Sequence, residues 1–106
     1  MSAEHQHDRR REPRVRLRVG LTVQGSGVDG NAFRLDVSTF DVSPSGAGLE
    51  LPMPLPVGSI IAVSGRKITF EARAVVRHNF RDRSTHNAIV GVEFLDGKHL
   101  PVVEWH

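Results

Sequence analysis

Val15, Leu17, Val19, Leu21 and Val23 alternate with Arg16, Arg18, Gly20 and Thr22. That period of two buries one face of an extended strand and leaves the other polar. Residues 24–30 have turn chemistry. Phe33, Leu35 and Val37 resume the alternation, but Phe40 and Val42 fall on the opposite parity. A β-bulge near Ser38 and Thr39 would absorb the slip. Short apolar runs at 47–51 and 60–64 flank a connection punctuated by Pro52, Pro54, Pro56 and Gly58. Ile68, Phe70, Ala72, Ala74 and Val76 then share one face of a long strand, with Thr69, Glu71, Arg73 and Arg77 on the other. A polar loop at 79–87 leads to a last strand at 88–95. Six strands joined by short turns predict an all-β fold, a small six-stranded antiparallel β-barrel or tightly rolled sheet. The sole helix candidate is one or two turns at 100–105, where Trp105 is expected to dock the C-terminal tail onto the barrel.

Composition narrows this picture without changing it. A chain of 106 residues that is 39% hydrophobic has room for one small domain. The expected division is a disordered tail at 1–8 and a single domain at 9–106, with the barrel core at about 14–96. With no cysteine, neither a disulfide framework nor a thiolate metal site is available. No apolar run approaches a membrane span, and the N-terminus lacks the apolar stretch of a signal peptide, so a cytoplasmic protein is expected.

The net charge of +2 hides a strong asymmetry. Residues 9–18 hold six of the twelve arginines against one acid, Glu12, whereas from residue 19 onward there are eight bases and nine acids. A nucleic-acid binder more often spreads its basic surface over the fold. A cationic clasp on a neutral body suits a compact anion better, while a basic arm on DNA or RNA stays open.

The clasp contains Arg9, Arg10 and Arg14, with Pro13 between the last two. Pro13 disfavours helical geometry at Glu12 and cannot donate within a helix, so the spacing of four is not a helix face. The segment reads as an irregular approach to the first strand, ordered by an anion. Arginine suits that task because its planar fork binds phosphate or the guanine O6/N7 edge in bidentate fashion. Taken alone, such a run is equally a solvated charged tail.

Asp41 and Ser43 share strand parity at the end of the second strand, and Ser43-Pro44-Ser45-Gly46 has the composition of a type I turn. A carboxylate there could accept from guanine N1–H and the N2 amino group, and Gly46 would permit positive φ or close backbone approach to a ligand. The plain alternative is an ordinary turn closing a hairpin.

In this order on an all-β chain, the two motifs resemble those of the PilZ domain, a bacterial receptor module for cyclic di-GMP. Arg10 and Arg14, preceded by Arg9, fit its RxxxR signature; Asp41, Ser43 and Gly46 fit its D/N-x-S-x-x-G signature. Weaker echoes are Val57-Gly58, Ala74-Val75-Val76-Arg77 and Val90-Gly91-Val92-Glu93-Phe94. The resemblance implies that Arg10 and Arg14 grip phosphate and guanine while Asp41 and Ser43 meet the ligand from the barrel surface, Gly46 shaping the turn. An arginine at the position of Arg9 implies a stacked, intercalated pair of ligands. Arg77 is added as a possible wall of the site, a plain surface arginine being the competing reading.

The expected function is therefore a cyclic di-GMP receptor whose arginine segment orders against the barrel and changes a surface read by an unknown downstream protein. The rivals are a PilZ-like interaction scaffold without nucleotide, and a basic-armed nucleic-acid binder. No enzyme, cofactor, metal, membrane or specific nucleic acid is expected. Gly25–Gly30 satisfies GxGxxG, but a strand rather than a helix follows it. His5 and His7 have no further ligand at useful spacing. His78, His86, His99 and His106 form no nucleophile–base–acid set.

Overall fold

The computed structural model describes residues 12–103. Six strands, β1 (Gly20–Ser26), β2 (Ala32–Val42), β3 (Gly46–Leu51), β4 (Ile60–Gly65), β5 (Glu71–Arg81) and β6 (Ala88–Phe94), close into a barrel in the order β1-β2-β3-β6-β5-β4. Every pairing is antiparallel. Closure removes the exposed strand edges that a small open sheet would leave. One parity of each strand fills the interior: Leu21 and Val23, Leu49 and Leu51, Ile61 and Val63, Ala74 and Val76, Val90 and Val92 are all buried. Phe70 and Phe94 meet edge to face, ring centroids 5.3 Å apart. Leu55 and Leu100, from segments outside the strands, complete the core.

Two bulges interrupt the ladders. The β2–β3 register slips between Thr39 and Asp41, within a residue or two of the position the parity break predicts. Thr39, fully buried, stands at the slip and binds on the opposite side of β2. Its Oγ1 accepts from the Val19 N–H at 2.8 Å and donates to the Leu17 carbonyl, so a side chain does the work of a ladder bond. As a result the first strand is shorter than its alternation predicts. Residues 15–19 do not continue β1 but form a separate approach, tied down by a lone two-bond bridge between Val15 and Val42, each N–H···O 2.9 Å. Val15, expected on the core face, is exposed for the same reason. Arg16 instead covers the displaced Phe40, its guanidinium carbon 3.9 Å from the ring centroid.

The second bulge places Arg77 as an extra residue on β5, between the Val76–Val92 and His78–Gly91 pairs. β5 begins later than expected, at Glu71, and runs into the predicted loop as far as Arg81. Asn79 sits inside it and holds Leu55 by both main-chain groups, donating to the carbonyl at 2.8 Å and accepting from the N–H at 3.0 Å. That clamp explains how a polar residue serves in a strand. The predicted C-terminal helix is absent over its described part: residues 101–103 form a turn and a bend. Trp105 lies outside the described residues. No helix among the described residues is long and apolar enough to cross a membrane.

Candidate functional site

The β2–β3 hairpin carries the second motif. Ser43 and Gly46 face each other across the turn, the Ser43 N–H donating to the Gly46 carbonyl at 3.0 Å and the Gly46 N–H returning a bond at 3.4 Å. Pro44 and Ser45 are the two central residues, as a serine–proline–serine–glycine turn requires. Gly46 needs no side chain for a reason other than the one expected. Its φ is not positive, and a Cβ there would collide with the Val92 carbonyl of β6. The close approach is thus made by the barrel itself. The Phe94 N–H donating to the Ser45 carbonyl at 2.8 Å fastens the turn to the same strand.

Asp41 stands at the base of this hairpin, its side chain 15% exposed. Its Oδ1 accepts from the Gly48 N–H at 3.0 Å, and its Oδ2 lies 3.4 Å from Arg14 Nη1. Two sequence motifs 27 residues apart thus meet at one carboxylate. The Val15–Val42 bridge is what brings them together, since it docks the residue after Arg14 against the residue after Asp41.

Beside this pair opens a cleft of about 390 Å³, lined by Glu12, Arg14, Ser43, Ser45 and Gly46 on one side. Arg77, His78 and Glu93 form the opposite wall. The bulge at Arg77 turns its guanidinium to this side, where Nε donates to Glu93 Oε1 at 2.8 Å. The floor at Gly91 carries no side chain, and the His78 ring occupies the space a Cβ would take there. Such a volume falls within the about 300–1,000 Å³ common for small-molecule sites.

Of the residues the sequence singled out, Arg14, Ser43 and Gly46 line the cleft, while Asp41 stands behind Arg14 rather than in the lining. Ser43 is 5% exposed and contributes mainly as part of the turn. Arg9 and Arg10 lie outside the described residues. Arg77 is in the wall. Glu12, Ser45, His78 and Glu93 were not identified from sequence. The Val90–Phe94 run held a signal for Gly91 and Glu93, but nothing in it says which face meets the hairpin.

Other titratable groups are shifted for structural reasons away from the cleft. The Glu50 carboxyl is held below its usual range, chiefly by the hydrogen bond from Asn87 Nδ2 at 3.0 Å and then by Arg18. Asp82 is lowered by the Ser84 hydroxyl and N–H that cap its loop.

The family model described as PilZ domain matches residues 8–99. Among solved structures, the Bacillus subtilis inhibitor of motility (MotI/DgrA) aligns with a TM-score of 0.65 at 17% identity, over 81% of this chain and 42% of that one. YcgR in complex with c-di-GMP from Escherichia coli aligns with a TM-score of 0.58 at 23% identity, over 83% and 38%. The PilZ domain of YcgR with c-di-GMP, also from Escherichia coli, aligns at 0.53 and 20% identity, over 85% and 80%. These likenesses establish the barrel fold. The chain spans about two fifths of the length of the first two proteins. No curated protein sequence matches it.

Proposed function

The chain belongs to the PilZ domain family, and from that premise we propose that it is a binding module for cyclic di-GMP that acts as a receptor rather than an enzyme. The observation that carries this reading is the meeting of Arg14 and Asp41 beside a cleft that Arg14 and Arg77 both line. Arg14 and Arg10 take phosphate and the O6/N7 edge of guanine, since a guanidinium fork matches both. Asp41 takes the N1–H and N2 donors, an edge that adenine lacks, once Arg14 turns from it to the ligand. The Ser43–Gly46 turn supplies a fixed near side, and Arg77 forms the far wall. Arg9 favours two stacked ligand molecules over one. Two of the solved relatives are described as bound to c-di-GMP, which supports the ligand class.

Binding orders the arginine segment ahead of Glu12 against the barrel and so changes a surface read by a downstream protein. Titrating ¹⁵N-labelled protein with cyclic di-GMP, followed by NMR, tests this. The amides of Arg14, Ser43, Gly46 and His78 are expected to shift together and to saturate at a defined stoichiometry. Absence of shifts at saturating nucleotide would leave the interaction-scaffold reading. Binding to mixed-sequence DNA or RNA that falls steeply with salt, without guanine preference, would favour the nucleic-acid reading.

A further inference from the structure

Four charged side chains line the cleft, and they are not used alike. Glu93 is bound to Arg77, with Nη2 and Nε 2.7 and 2.8 Å from the same oxygen. Arg14 leans on Asp41. Glu12 is held by the hairpin instead: its Oε1 accepts a hydrogen bond from the Ser45 hydroxyl at 2.7 Å. That contact fixes a carboxylate at the tip of the turn, in the same opening as the Arg14 guanidinium. Pro13 restricts the backbone between the two residues, so neither moves far without the other.

We propose that Glu12 sets the affinity threshold of this site by acting as its internal competitor. The inference rests on the nucleotide-binding reading above. In the ligand-free protein the Glu12 carboxylate holds the Ser45 hydroxyl and adds negative charge to the opening. A phosphodiester entering there must displace it, because a carboxylate and a phosphate a few ångströms apart repel within the Debye length of about 8 Å at physiological salt. The cost of displacement is the same for every anion, so each affinity falls by one factor and the ratio between ligands is unchanged. A ligand with one phosphate, which binds weakly to begin with, then falls below measurable occupancy. A cyclic dinucleotide presents two phosphates and two purine edges to Arg14 and Arg77 and has affinity to spare. Glu12 thereby sets a threshold that mononucleotides, chemically similar to half of the ligand, do not pass.

The test is calorimetric titration of the wild-type chain and of Glu12→Gln, which keeps the shape and an acceptor for Ser45 but removes the charge. Each is titrated with cyclic di-GMP and with 5′-GMP, at low and high salt. Glu12→Gln is expected to bind cyclic di-GMP about three- to tenfold more tightly, an advantage that shrinks as salt rises. It is also expected to bind 5′-GMP measurably where the wild type does not. Glu12→Ala should move both affinities in the same direction. If the wild type binds cyclic di-GMP and neither variant binds more tightly, Glu12 is no competitor, and the nucleotide-binding reading survives without it. If wild type and variants all ignore both nucleotides, both readings fall. Binding by the variants alone would support both.

Discussion

Arg14 Nη1 and Asp41 Oδ2 lie 3.4 Å apart, one on the approach to β1 and the other at the end of β2. The pair is more than a staple. Arg14 is 56% exposed, and an exposed ion pair is worth about 0–1 kcal/mol, too little to hold the fold. What the pair does is hold a guanidinium at the mouth of the cleft.

Arg14→Ala should therefore leave the barrel intact while weakening cyclic di-GMP binding tenfold or more, since one bidentate contact is worth about 1–3 kcal/mol. Arg10→Ala should behave alike. Calorimetry for affinity and circular dichroism for fold distinguish the two effects, and unchanged titrations in both variants would count decisively against the assigned roles.

Asp41→Ala should lose discrimination between cyclic di-GMP and cyclic di-AMP, because the acceptor for the guanine donor edge is gone. It also strips the Gly48 N–H of its acceptor, at a cost of about 1–3 kcal/mol in urea denaturation if that group stays dry. Equal loss of affinity for both dinucleotides would contradict the specificity role.

Thr39→Val should destabilise the protein by about 1–3 kcal/mol, since it leaves the buried Val19 N–H without its partner. Thr39→Ser keeps the hydroxyl and should recover most of that loss. Hydrogen exchange at Val15 reports whether the approach segment loosens with it, as expected if Thr39 and the Val15–Val42 bridge act as one anchor.

Glu50 should contribute to the acid sensitivity of the fold. Its carboxyl is lowered in the folded chain by Asn87 and Arg18, so the stabilisation is fully present above its unfolded value of about 4.3. It is lost as pH falls below that value and through the lower folded one. Asn87→Ala should shrink the fall in stability between pH 5 and 3, measured by urea denaturation at each pH, and a slope equal to wild type would remove Glu50 from the account.

The sequence carried the barrel well because the strands are short and their alternation is clean. The parity break at Phe40 located the bulge beside Thr39. What alternation could not carry was the effect of that bulge on its neighbour. Val15, Leu17 and Val19 keep a perfect period, yet the ladder they would extend is interrupted from the other side. Asn79 misled for a similar reason: its value lies in a contact with Leu55, 24 residues away. In the site, the motifs were legible as residue types, but the opposite wall was not. His78 and Glu93 reach the cleft only because the second bulge and the β3–β6 register bring their strands beside the hairpin.

Gly46→Ala should be the most damaging single substitution at the site. The added methyl meets main chain, which cannot rotate away, so overpacking costs of about 1–3 kcal/mol are the lower end of the expectation. Urea denaturation measures it, and wild-type stability would exclude the close approach to Val92.

Gly91 differs in kind, because the obstacle there is the exposed His78 ring rather than main chain. One extra carbon would push the imidazole from its place and leave the barrel standing. The hollow is thus written as missing atoms, and alanine scanning, which elsewhere subtracts, acts here by addition. A single methyl would reshape the opening without altering any charge.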